Sequence, residues 1–151
     1  NVGDLMVIND HINLFPEHPL RGKNDEKYGP RFPDMTEPYQ LSLVKQARQI
    51  AKNNNIKLFE GVYIGLQGPT FETKAEYIWL KIIGGDAVGM STVPEVIVAI
   101  HCGMKVFGMS VITDLGIREE MNTITHEEVL EAANAAAPKM AFIFKELLGQ
   151  L

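Results

Sequence analysis

The sequence predicts an α/β protein: a mixed, mainly parallel sheet flanked by helices, within a single domain. Three observations carry the prediction. Short, continuously apolar runs alternate with longer stretches of helical period. No repeat or low-complexity tract interrupts them. A chain of 151 residues, 46% apolar and 22% charged, suits one buried core. Continuous apolar strands are buried on both sides, the pattern of parallel strands joined through helices.

Leu5-Met-Val-Ile8 is the first expected strand. The stretch from Asn13 to Glu37 then shows no periodicity and carries Pro16, Pro19, Pro30 and Pro33 among many charges. A connection that long is functional, an interface or disordered. From about Pro38 to Asn53, Leu43, Val44, Ala47, Ile50 and Ala51 form one helical stripe. Val62-Tyr-Ile-Gly-Leu66 reads as a second strand, closed by the tight turn that Gly68 and Pro69 force. Thr70 is then placed to cap a helix whose opening turn carries Phe71 and Glu72. Its apolar stripe is Ala75, Ile78, Trp79 and Ile82, ended by Gly84-Gly85. Asp86-Ala-Val-Gly-Met90 is the third strand, and Val93-Pro94 starts a further helix with proline where it is favoured. Lys105 to Ile112 gives the fourth strand. The last helix opens at Thr125 with a capping box closed by Glu128 and aligns Val129, Ala133, Ala136, Met140, Ile143 and Leu147. Pro138 should kink it.

Ligands of open α/β sheets sit beyond the carboxyl ends of the strands. Gln67-Gly68-Pro69, Ser91-Thr92 and Thr113-Asp114 each follow an expected strand, so the three segments are expected to converge on one rim. Phe71 and Glu72 offer an aromatic face and a carboxylate, which together suit a flat heterocyclic base. Gly89 admits close backbone approach, Met90 offers a soft apolar surface, and the Ser91 and Thr92 hydroxyls suit a sugar or an anion. Each residue also has a plainer reading. Glu72 in a first helical turn complements the helix dipole by about 0.3–1 kcal/mol. Phe71 and Met90 suit a core, Tyr63 a packed strand and Ser91 an ordinary helix entry.

The chain resembles the purine nucleoside phosphorylases of the trimeric class, which share a family with methylthioadenosine phosphorylases. The residues that carry the resemblance are Asp10-His-Ile-Asn-Leu14, Pro19-Leu-Arg-Gly22, Asn24-Asp-Glu26, Arg31-Phe-Pro33, Gly68 to Thr73, Asp86 to Ala99, His101-Cys-Gly103 and His126-Glu-Glu-Val129. They run collinearly from Gly3 to about Leu148, and they match the second half of such a subunit. The first half, with its Gly-rich phosphate-binding turn, has no counterpart among these residues. The resemblance implies a partial nucleoside phosphorylase fold, a pentosyltransferase activity in purine salvage, a homotrimer, and inorganic phosphate as co-substrate with no other cofactor. By the same resemblance Phe71 stacks on the base and Glu72 accepts from the purine N1–H. Val88, Met90 and Tyr63 line the nucleoside, with Tyr63 reaching the ribose or the phosphate. Ser91 is a phosphate ligand, His126 contacts the ribose 5′ position, and Phe32 in the 13–37 loop caps the pocket of a neighbouring subunit. His126 follows the Thr125 cap, and a neutral imidazole can donate one hydrogen bond and accept another, which suits a sugar hydroxyl. His11, beside Asp10, reads as structural.

The residue after Ile112-Thr113 faces the six-position and N7 of the purine in that family, where oxopurine-specific members carry asparagine; here it is Asp114. A protonated Asp114 donates to the leaving base, whereas an ionised one accepts from a 6-amino group, so the choice between inosine-like and adenosine-like substrates stays open. The resemblance therefore leaves three possibilities: a purine nucleoside phosphorylase with Asp114, Glu72 and His126 as the catalytic group, a methylthioadenosine phosphorylase-like enzyme acting on 6-aminopurines, or a non-catalytic nucleoside-binding or oligomer-forming module. Alone, residues 1–151 are expected to turn over weakly or not at all, because one or two hydroxyls aim a phosphate dianion poorly.

Composition excludes other classes. A formal net charge of −5 leaves no basic footprint for nucleic acid or an anionic membrane surface. No stretch approaches the roughly 20 apolar residues of a membrane-spanning helix, and Asn1-Val-Gly-Asp4 lacks a signal-peptide pattern. The single Cys102 fits a reducing cytoplasm, and no Cys or His spacing suggests a metal site.

Overall fold

The computed structural model describes residues 1–117 and 125–150. Its elements are β1 (Leu5–Asn13), α1 (Leu41–Asn53), β2 (Leu58–Gly65), α2 (Lys74–Ile82), β3 (Ala87–Gly89), α3 (Val93–His101), β4 (Gly108–Val111) and α4 (His126–Leu148). The four strands form one sheet in the order β3-β2-β1-β4. β1 pairs in parallel with β2, and β2 with β3, while β4 runs antiparallel to β1. The sheet is mixed and mainly parallel, as the alternation of apolar runs predicts.

β1 and β2 are longer than their apolar cores. β1 shifts register between Ile8 and Asp10, and past that bulge Asp10 to Asn13 continue to pair with Val62 to Gly65. The polar character of Asp10-His11 hides this half of the strand in the sequence. Beyond the end of β3 proper, Asp86 extends the pairing in both directions. Its N–H donates to Val62 O at 2.9 Å, and its carboxylate Oδ2 accepts from Val62 N–H at 2.9 Å.

Alternate residues of β1 point to opposite faces, and each face has its own core. Leu5 belongs to a cluster with Leu43, Ala47 and Ile50 of α1 and Ala136, Ile143 and Leu147 of α4. Met6 and Ile8 belong to the other, with Tyr39, Tyr63 and Val93, Val96 and Ile97 of α3. The stripe expected on α1 is buried throughout, that on α4 is buried at Ala136, Ile143 and Leu147 and half-buried at Val129, Ala133 and Met140, and α4 opens with the Thr125–Glu128 capping box. α4 runs unbroken through Pro138.

Two expectations for α2 need correction. The cap is Thr73, not Thr70: the Thr73 hydroxyl accepts from Glu76 N–H and the Glu76 carboxylate accepts from Thr73 N–H, closing a capping box. Phe71 and Glu72 therefore precede the helix instead of lying in its first turn. The stripe is also uncovered. Leu80 is the buried residue of α2, whereas Trp79 is 49% and Ile82 76% exposed, because within the described residues nothing packs over that side. Gly84-Gly85 do end the helix. Gly84, at φ +101°, occupies the left-handed position, and the N–H groups of Gly84 and Gly85 donate to Lys81 O and Leu80 O.

Candidate functional site

The carboxyl ends of β2 and β3 lie side by side, and the two sequence motifs meet there. Leu66 N–H donates to Gly89 O at 2.9 Å, carrying the pairing one residue past the strands. The turn at Gly68 packs directly on the Met90 thioether, so closely that a β-carbon at position 68 would overlap Sδ. Gly89 is likewise bare beneath the phenol of Tyr63. A side chain at Gly68 or Gly89 would displace the Met90 thioether or the Tyr63 phenol from its place.

Tyr63 is 4% exposed, inside the cluster packed on α3, and only its hydroxyl reaches the rim. That hydroxyl stands 3.5 Å from Ser91 Oγ, which in turn is 3.1 Å from Thr92 Oγ1. Three hydroxyls thus line up at the entry to α3. The chain turns there in an uncommon way. Thr92 has φ +74° and ψ −57°, and Val93 N–H donates to Ser91 O at 2.8 Å, which makes a γ-turn of the strained hand. A β-branched residue at positive φ is an outlier that costs about 1–3 kcal/mol. Sequence reasoning had no signal for it, because Ser-Thr-Val-Pro is an ordinary helix entry.

Phe71, 43% exposed, and the half-buried Glu72 stand in the connection between β2 and α2, on the same rim as Met90, and Val88 is the central residue of β3. The expectation that Thr113-Asp114 leave their strand at this rim is corrected by topology. β4 is antiparallel, with Val111 opposite Leu5, so it ends at the amino-terminal side of β1. The segment then reaches α2 by its own path, and Gly116 meets the ring of Tyr77, four residues past the Thr73 cap, with no room for a β-carbon. Thr113 is half-buried, and both carboxylate oxygens of Asp114 are withdrawn from solvent. His126 is the exposed first residue of α4, whose body lies on the α1 side of the sheet. Phe32 is 87% exposed, and Arg31 stacks beside it with its guanidinium 5.8 Å from the ring centre. The structure thus brings Tyr63, Met90, Ser91 and the Gly68 turn together.

Two histidine contacts went unread in the sequence. The first supports the rim from behind: His11 is the β1 neighbour of Tyr63, and its Nδ1 is 3.2 Å from the hydroxyl of fully buried Tyr39. Burial holds the His11 imidazole below the usual histidine range, although the Asp10 carboxylate opposes this. Burial also raises the Tyr39 phenol, with Tyr63 and Asp10 adding to the effect. The second fastens the long loop. Asn24 Nδ2 donates to Gly29 O at 3.0 Å, so its Oδ1 is free to accept from His101 Nε2–H at 3.1 Å. Gly29 sits against the His101 carbonyl with no room for a β-carbon.

No group of three or more metal-ligating side chains is found among the described residues, and no helix among them is long and apolar enough to cross a membrane.

The chain belongs to the Phosphorylase superfamily, whose family model matches residues 1–149. It is 49% identical over 148 residues to a purine nucleoside phosphorylase of Rattus norvegicus, covering 92% of this chain and 50% of the relative. Purine nucleoside phosphorylase 1 of Bacillus subtilis is 44% identical over 98% of this chain and 55% of its own length. Among solved structures, Schistosoma mansoni purine nucleoside phosphorylase in complex with adenosine superposes with TM-score 0.92 at 37% identity, covering all of this chain and 57% of that one. Isoform 2 from the same organism, in complex with cytosine and ribose-1-phosphate, gives 0.91 at 41% identity, covering 99% of this chain and 55% of that one. The chain spans about half the length of the relatives it matches.

Proposed function

We propose that this protein is a purine nucleoside phosphorylase: phosphate attacks the anomeric carbon of a purine ribo- or deoxyribonucleoside, the glycosidic C–N bond breaks, and the base leaves with the bonding electrons. The observation that carries the reading is the junction of β2 and β3, where the Tyr63–Ser91 hydroxyls and the Gly68–Met90 contact adjoin Phe71 and Glu72. The reaction passes through an oxocarbenium-like sugar, so the protein must hold a cationic ring between an anionic nucleophile and a base gaining charge.

Phe71 stacks on the purine and Glu72 accepts from its N1–H, a pairing that leaves a carboxylate unpaired when the base lacks that donor. Met90 and Val88 pack on the nucleoside, Tyr63 and Ser91 donate to ribose or phosphate, and His126 meets the 5′ position. Thr113 and Asp114 face the six-position and N7. Phe32 covers the pocket of a second copy, with the 13–37 loop at the interface of a homotrimer. The reading includes a cytoplasmic role in purine salvage, with phosphate as co-substrate.

A second substrate class is favoured by one feature. Asp114 stands where a 6-oxopurine enzyme carries asparagine, and its carboxylate is withdrawn from solvent. An ionised Asp114 accepts from the amine of adenosine, and a protonated one donates to the departing base.

The test is phosphate-dependent release of base from inosine and adenosine by the full-length protein. Glu72→Ala should lose about 2–4 kcal/mol of transition-state stabilisation, roughly thirtyfold to a thousandfold in kcat/KM. Asp114→Asn should shift the inosine-to-adenosine ratio toward inosine. Unchanged turnover in the first variant sinks the role of Glu72, and an unchanged ratio in the second removes Asp114 from the base.

A further inference from the structure

The γ-turn at Thr92 does nothing for the fold that glycine would not do better. Glycine adopts φ near +74° without penalty, whereas threonine is among the residues least suited to it. Nor does the threonine side chain act as a cap. Thr92 is the residue before α3, where a hydroxyl ordinarily accepts from the helix's first N–H groups, yet it makes no such bond. Its Oγ1 turns back to Ser91 Oγ at 3.1 Å instead. The reversal of the chain at Thr92 also lays Ser91 Oγ over the Tyr63 hydroxyl at 3.5 Å, in the space that bare Gly89 leaves open.

From this geometry we infer that Thr92 is a positioning residue: its hydroxyl donates to Ser91 Oγ and so turns the Ser91 proton outward, toward an oxyanion at the rim. A serine hydroxyl has one proton and two acceptor sites. With Thr92 supplying a proton to Ser91 Oγ, Ser91 O–H is free to donate to an incoming anion beside Tyr63 O–H. The γ-turn is what brings the two neighbouring hydroxyls within reach of one another. Thr92 acts through Ser91 and does not itself touch the reacting atoms. The inference rests on the phosphorolysis reading for the identity of the anion, inorganic phosphate, but its conformational half stands independently.

Three variants of the full-length protein separate the hydroxyl from the backbone. Thr92→Val keeps the branched shape and removes the hydroxyl, and it should raise KM for phosphate about tenfold or more while KM for inosine stays within about twofold. Thr92→Ser keeps the hydroxyl and should restore KM for phosphate to near the parent value. Thr92→Gly should raise Tm by about 2–4 °C through relief of strain, yet share the weakened phosphate KM. The rise in Tm that inorganic phosphate itself produces should shrink in the Val and Gly variants and persist in Ser, a readout that needs no turnover. An unchanged phosphate KM in Thr92→Val, or a Tm in Thr92→Gly no higher than the parent, overturns the inference. Lack of phosphate-dependent base release by the parent protein sinks the enzymatic reading instead, and the phosphate-induced Tm rise then decides between the variants.

Discussion

The two faces of the sheet are built on different terms. The face under α1 and α4 buries aliphatic side chains, with Phe107 and Phe142 packed at its margin. The face under α3 buries Tyr39 and Tyr63 with His11 beside them, and its helix ends on buried His101, which meets Asn24 of the long loop. Apolar packing tolerates no unpaired donor, so the first face can do little except hold the sheet together. The second must satisfy each polar group it covers, and the bonds that do so lead to the rim and to the long loop. Under the proposed phosphorolysis reading, affinity for a ligand is built on the face that has accepted polar groups and one strained turn.

The largest expected effect lies on the aliphatic face. Ile143 of α4 is fully buried, and Ile143→Ala should cost about 2–5 kcal/mol through lost burial and a residual cavity. Urea unfolding reads this as a lower midpoint at unchanged slope. A loss under about 1 kcal/mol would mean that α4 is not the main cover of that face.

On the polar face the effect is smaller and depends on pH. The folded state holds the His11 imidazole below its ordinary value of 6.5, with burial as the main cause. Between the lowered folded value and 6.5 the unfolded chain binds more protons, so stability is full above about 6.5 and falls as the pH drops through that window. His11→Gln should flatten this slope, whereas Ile143→Ala should keep the parent's pH dependence. Identical slopes in parent and His11→Gln would take His11 out of the account.

The smallest effect belongs to α2, which serves neither face. Ile82→Lys in residues 1–151 should change stability by no more than about 0.5 kcal/mol, since that side chain is 76% exposed. A larger loss in the full-length protein alone would show that a segment beyond these residues covers α2.

The contrast between faces was partly legible in the sequence. Period alone identified the stripes of α1 and α4, since Ala47 and Ile143 fall where a helix must bury them. Period alone also drew a stripe on α2, but it states which side is apolar and not whether anything covers it. The α2 cap was legible and misread: Thr73 has Glu76 three residues on, whereas Thr70 has no carboxylate at that distance. The direction of β4 was not legible, because alternation of apolar residues is the same for a strand run either way. The left-handed turn at Thr92 left no trace in residue type. Gly68, Met90, Tyr63 and Ser91 were recognisable as motif residues, whereas the contacts of His11 with Tyr39 and of His101 with Asn24 join positions far apart in the chain and required the fold.

The clasp between Asn24, Gly29 and His101 sets how far Phe32 can travel. Measured from Leu14 alone, Phe32 stands on a stretch of eighteen residues, an extended reach of about 60 Å. With Gly29 pinned to the carboxyl end of α3 and Met35 packed against the core under α3, the tether is three residues on either side, or about 10 Å. The exposed ring therefore searches a small volume, and any surface that receives it must come within about 10 Å of the end of α3. A long, proline-rich loop that looks free to roam is in mechanical terms a short arm on a fixed pivot.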